Sequence, residues 1–179
     1  NVFKKTESLI YEKQKAGINI TFVTVGKKAK DYADRRNMTV AKNFFGFGDY
    51  TTIEETLEVA DSMIHGFLNG SFDEVIAVYT HFRTTLQQET IIKKILPATE
   101  ASLADSILHI LPEYGKFSEK EKSLPHERYK YEYKFEPSAK DILDTLIPNL
   151  IRIHIHDVLL ESNASEHSAR MVAMKSASD

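Results

Sequence analysis

The chain has no cysteine and no tryptophan among its 179 residues. Without cysteine there is no disulfide, no thiolate nucleophile and no cysteine-ligated zinc, and a reducing compartment is permitted. Glycine is scarce, at seven, and proline scarcer, at five, so few positions are built for sharp turns or phosphate cradles. No apolar run approaches the ~20 residues of a membrane-spanning helix, and no secretory signal opens the chain. A formal net charge of -3 gives no electrostatic case for nucleic acid. What is present is an ordinary globular balance, 42% hydrophobic and 27% charged, enough for a real core.

The distinctive stretch is the last forty residues. Pro137 and Ser138 open it, with Ser138 as a helix N-cap and Asp141 in the first turn, where an acidic side chain suits the helix dipole. No glycine follows, and its one interruption is Pro148, which can kink or restart a helix. At ~1.5 Å per residue, such a helix reaches roughly 60 Å, longer than a domain of this size needs. Its apolar stripe runs through Ile142, Leu143, Leu146, Ile147, Leu150, Ile153, Val158, Leu159 and Leu160. It then continues as Ala164, His167, Met171, Met174 and Ser178, in alternating steps of three and four among small residues such as Ser165, Ser168 and Ala169. That pattern lets a second helix approach closely, as in a coiled coil. A helix docked wholly on its own domain is the plainer alternative.

Ahead of it, strands and helices alternate. Residues 1–16 form an amphipathic helix stopped at Gly17, although the missing initiator methionine suggests a chain that begins inside a longer protein. Strands are expected at 18–25, 39–45, 73–82 and 90–96. Helices are expected at 27–37, which is basic, and from Thr52 to Asn69, where Thr52 and Glu55 make a capping box. Residues 101–111 suit a short helix, 113–127 a polar loop and 129–135 an edge strand. The expectation is an α/β fold with a Rossmann-like, mostly parallel sheet over residues 1–136, followed by a long coiled-coil helix over 137–179.

Site chemistry is thin. Gly46-Phe47-Gly48 lacks the third glycine of a phosphate loop. His154 and His156 stand ~200° apart on a helix and cannot share a metal. Ser165, Glu166 and His167 are neighbours along one helix, and so cannot converge as a triad. Neither Gly26-Lys27-Lys28 nor Arg83-Thr84-Thr85, each just after a strand, forms a ligand cradle. No catalytic, cofactor or metal residue is assigned. The basic segment 27–36 reads as a solvated helix face or a docking surface for an acidic partner.

The run Glu161-Ser162-Asn163-Ala164-Ser165-Glu166-His167-Ser168-Ala169-Arg170-Met171-Val172-Ala173-Met174-Lys175 resembles the C-terminal helix of the gamma subunit of F-type ATP synthases, whose form is E-x-x-A-S-E-x-x-A-R-M-x-A-M-K-x-A. The entry to the helix, Phe135-Glu136-Pro137 and Ile142-Leu143-Asp144-Thr145-Leu146-Ile147-Pro148, is similar to the family's F-E-P and I-L-D-x-L-x-P. Residues 72–82 match its F-D-E-V-x-x-x-Y-x-x-F, while 97–129 match weakly.

The resemblance implies a non-catalytic rotor shaft of the proton-translocating complex, with catalysis left to the beta subunits. It implies no cofactor. It implies contacts with the alpha and beta subunits, the epsilon subunit and the membrane c-ring, and no nucleic acid. It places the chain at the membrane only through the complex, on the cytoplasmic face of a bacterial inner membrane. Arg170, Met171, Met174 and Lys175 become the partner-contact residues. A central first strand and a long N-terminal helix of the family have no counterpart here, so the isolated segment is expected to self-associate or fray beyond Glu161. A small α/β nucleotide-binding enzyme with a helical dimerisation tail, and a self-associating scaffold, are the alternatives from other classes.

Overall fold

The computed structural model of the chain describes residues 1–48, 51–99 and 138–178. The expected helix at 101–111, loop at 113–127 and strand at 129–135 lie outside them. The elements in order are α1 (Val2–Lys15), β1 (Phe22–Val25), α2 (Lys27–Arg35), β2 (Val40–Phe44), α3 (Ile53–Leu68), β3 (Val75–Phe82), β4 (Gln88–Leu96) and α4 (Ala139–Ser178).

The α/β class is as expected, while a single mostly parallel sheet is not seen among the described residues. Among the described residues there are two two-stranded sheets, β1 with β2 and β3 with β4. The first is parallel, Phe22 facing Val40 and Val25 facing Phe44, with α2 as the crossover. The second is antiparallel, with Thr80 opposite Thr90 and Phe82 opposite Gln88. Chain length decides this: residues 83–87 can close a hairpin, whereas a parallel return needs a dozen or more residues.

Helix α3 begins as its sequence dictates. The Glu55 amide donates to Thr52 Oγ1 at 3.4 Å, and the Thr52 amide donates to Glu55 Oε2 at 2.9 Å. Such a cap stabilises a helix by about 1 kcal/mol. Its buried residues Thr56, Val59, Ala60, Met63 and Ile64 recur at helical spacing. With Phe44, Ile95, Leu96, Ile151 and Ile155, the four apolar ones form the main core. That core draws on both sheets and on α4, so the long helix is packed into the globular part rather than appended to it.

Helix α1 has no buried residue. Half-buried Val2, Leu9 and Ile10 are supplemented by stacking and charge. Phe3 stacks on Tyr32 with ring centroids 4.0 Å apart, and Tyr32 Oη donates to Glu7 at 2.6 Å. Lys13 donates to Glu74 at 2.7 Å, and Lys94 reaches the other oxygen of the same carboxylate at 3.1 Å. These two hydrogen bonds hold the Glu74 carboxyl below the usual glutamate range.

Candidate interaction face of the C-terminal helix

Helix α4 is a single 40-residue helix that runs through Pro148. Ser138 caps it: the Asp141 amide donates to Ser138 Oγ at 3.1 Å, as the sequence predicts. Packing divides it lengthwise into two faces.

The inner face carries the buried residues Ile151, Ile155, Val158, Ser165 and Ser168. Their steps of four, three, seven and three keep them on one side of a helix. Ile151 and Ile155 join the core with α3, and Arg152 Nε donates to Asp61 at 2.8 Å across the same contact. Both partners of that pair are about a third exposed, which keeps its contribution within about 1 kcal/mol. His156 Nδ1 lies 3.1 Å from Thr56 Oγ1, again on α3. Nearer the C-terminus the inner face turns polar. Glu161 Oε2 lies 2.7 Å from His81 Nδ1. Ser165 Oγ donates to the Thr80 carbonyl at 3.3 Å, and Ser168 Oγ to the Thr85 carbonyl at 2.8 Å. Asn163 donates to Thr51 Oγ1 from the flank.

The sequence reading is corrected here. It treats Ser165 and Ser168 as small neighbours that make room for a partner helix, and it omits Ile151 and Ile155. The structure puts all four against the chain's own domain. The missed signal is that two stripes are interleaved, half a turn apart. Hydrophobicity alone merges them, because both contain isoleucine.

The outer face holds the other stripe. Leu146, Ile153 and Leu160 recur at intervals of seven and are 45%, 47% and 39% exposed. Ala164, Met171 and Met174 extend the line, with Met171 51% and Met174 59% exposed. A seven-residue repeat of apolar side chains is the signature of a helix–helix seam. Contiguous exposure of this kind marks an interaction surface rather than scattered surface leucines. Methionine suits such a seam because its unbranched chain adapts to the surface it meets.

All four residues proposed from sequence lie beyond Ser168, the last fully buried position of α4. Arg170 is exposed and pairs along the helix with Glu166 at 2.9 Å, while Lys175 stands in the final turn. Residues 169–178 are exposed apart from half-buried Val172. The helix therefore overshoots its domain by about three turns, or ~15 Å. It stays helical to Ser178, and Ser168 carries a hydrogen bond back to the Thr85 carbonyl.

Elsewhere the candidate features are structural. Arg36 lies 2.6 Å from Glu7 and over the Tyr32 ring at 5.6 Å, so part of the basic segment faces α1. Lys28 approaches Glu166 of α4 at 3.9 Å, with both side chains exposed. An open surface depression at the β3–β4 turn is lined by Arg83, Leu86, Gln87, Gln88 and Glu89. Among the described residues no group of three His, Asp or Glu side chains is placed to hold a metal, and no helix is long and apolar enough to cross a membrane.

The family model described as ATP synthase matches residues 1–179. The ATP synthase gamma chain of Roseiflexus castenholzii is 32% identical over 179 residues, covering 100% of this chain and 54% of the relative. That of Gloeothece citriformis is 34% identical over 184 residues, covering 100% of this chain and 59% of the relative. The chain thus spans about half the length of the curated relatives it matches. Among solved structures, the central stalk and c-ring of Tetrahymena thermophila mitochondrial ATP synthase aligns with a TM-score of 0.56 at 18% identity, covering 87% of this chain and 59% of that one. The rotor of Euglena gracilis mitochondrial ATP synthase aligns with a TM-score of 0.56 at 15% identity, covering 96% of this chain and 60% of that one. At these identities the structures speak to the fold.

Proposed function

The chain belongs to the ATP synthase gamma family, and from that premise we propose that it works as a stretch of a central rotor that couples turning of a membrane c-ring to ATP synthesis or hydrolysis in the beta subunits. Residues 137–179 serve as the shaft and residues 1–136 as the globular part that meets the epsilon subunit and the ring. The observation that carries this reading is the division of α4. One face is locked into the core, the opposite face offers a seven-residue apolar repeat, and the last three turns stand clear of the domain.

The chemistry of a shaft differs from that of an active site. It needs stiffness and asymmetry. A second helix laid along Leu146, Ile153, Leu160, Ala164, Met171 and Met174 makes a rod that resists bending and twisting, which a single exposed helix does not. An asymmetric rod presents a different surface to each surrounding beta subunit. Each orientation then favours a different conformation through differential contact energy, and rotation is coupled to the occupancy of the sites. We assign these contacts to Arg170, Met171, Met174 and Lys175, Met171 and Met174 toward the second helix and Arg170 and Lys175 toward the collar of alpha and beta subunits; their exposure supports the assignment for the two methionines. We also propose that the two small sheets belong to one Rossmann-like sheet in the intact protein, completed by the family's central strand; the β1–α2–β2 crossover supports this. The setting is peripheral, on the cytoplasmic face of a bacterial inner membrane, with the membrane reached through the complex.

The test uses the full-length parent of this chain, mixed with alpha and beta subunits. Formation of an ATP-hydrolysing complex that contains the chain and depends on it is the expected result. Failure to assemble, together with nucleotide bound by the chain alone, would replace the rotor with an α/β nucleotide-binding enzyme.

A further inference from the structure

Hydroxyls within helices of this protein usually bond to their own helix. Thr6, Ser8, Thr145, Ser162 and Ser178 each donate to the carbonyl four residues earlier, the ordinary habit of such side chains. Ser165 and Ser168 do not. They are 3% and 6% exposed, and each reaches across to a main-chain carbonyl of the β3–β4 hairpin, Thr80 and Thr85 respectively. One turn earlier, Glu161 meets His81 of β3 at 2.7 Å, with both side chains largely covered. The three helix positions are four and three residues apart, so they form one strip along α4 about 10 Å long. The strip ends where the helix leaves the domain.

We propose that Glu161, Ser165 and Ser168, with His81 and the Thr80 and Thr85 carbonyls, form a polar clasp that fixes the rotation of α4 about its own axis against the hairpin and passes torque between the globular part and the shaft. This deepens the rotor reading and rests on it. Apolar packing resists separation but is non-directional, and a smooth helix face can slip past a sheet while keeping its burial. Hydrogen bonds are directional, weakening steeply off axis. Carbonyls that belong to a paired strand and its turn cannot follow a rotating helix without breaking the hairpin. The serines' small size also brings the helix close to the strand, which shortens the lever between them. Upstream, Ile151 and Ile155 supply adhesion; the clasp supplies angular registration at the last point of support. Its members are positioning residues.

The experiment uses the assembled complex in vesicles, with the full-length chain, and measures ions pumped per ATP hydrolysed. Coupled pumping by the parental complex is the control: if it is absent, the rotor reading fails whatever the clasp does. With that control in place, the Ser165→Ala, Ser168→Ala double variant is expected to assemble and hydrolyse ATP at near-parental rates, while pumping per ATP falls several-fold. Loss of helix packing alone would instead lower hydrolysis and pumping together. A double variant whose pumping-to-hydrolysis ratio equals the parental one overturns the clasp. If the double variant does not assemble, Ser168→Ala alone decides by the same ratio, and Glu161→Gln, which keeps a hydrogen-bond acceptor for His81, should retain most of the coupling.

Discussion

Gly66 lies inside α3, where replacing glycine by alanine ordinarily stabilises a helix by about 0.5–1 kcal/mol. Here the sign reverses. A Cβ built on Gly66 would sit 2.4 Å from the Phe72 ring, so the ring must leave its seat. Gly66→Ala is therefore expected to destabilise by about 1–3 kcal/mol, the usual range for overpacking. Thermal melting checks it, and Phe72→Leu should recover part of the loss in the double variant; additive losses would show that the ring is not the obstacle. Neither residue stands out in the sequence as a pair. Their closeness follows from the turn at Asn69-Gly70-Ser71, where Gly70 takes a φ of +69° and the Ser71 amide returns to the Gly66 carbonyl.

For whole elements, the two faces of α4 give a sharp contrast between residues of one type two positions apart. Ile155 is 7% exposed and Ile153 is 47% exposed. Ile155→Ala should cost the isolated chain about 2–5 kcal/mol, the range for a core truncation. Ile153→Ala should cost it under about 0.5 kcal/mol, the range for surface changes. In the full-length assembly the second figure should rise, because the seam is then covered. Equal losses in the isolated chain, read by denaturant melts, would refute the two-face division. The elements themselves were largely legible. The Thr52/Glu55 box, the Ser138 cap, the short β-branched run in β1 and the long C-terminal helix are local chemistry, and the structure places each within a few residues. The rotation of α4 was not legible, because which stripe faces the core depends on α3 and β3, a hundred residues away in sequence.

Over the whole molecule, α1 has no fully buried residue, and its links to the β3–β4 sheet include the Glu74 carboxylate between Lys13 and Lys94. The pairing lowers the Glu74 pKa in the folded state relative to the unfolded one. An unfolded chain then binds the proton more readily, so the stabilisation is fully present above the ordinary value of about 4.3 and fades as pH falls below it through the lowered folded value. Glu74→Gln should reduce the melting temperature at neutral pH, with the gap to the parental chain closing below about pH 4.3. A gap that persists unchanged at pH 2 would mean that the carboxylate's charge plays no part. With side chains a quarter to a third exposed, the pair is also screened, and the gap should shrink in high salt.

The sequence by itself determined the alternation of helices and strands, the length of α4 and, through its E-x-x-A-S-E-x-x-A-R-M run, the family. These are properties of neighbouring residues: caps, periodicity and an uninterrupted motif. Only the tertiary structure decided that Ile151 and Ile155 rather than Ile153 complete the core, and that Ser165 and Ser168 bond to the hairpin instead of lining the seam. Each of those outcomes depends on which surfaces meet. A helix with two apolar stripes carries no instruction about which to bury until the β3–β4 hairpin and an α3 core face are set beside it.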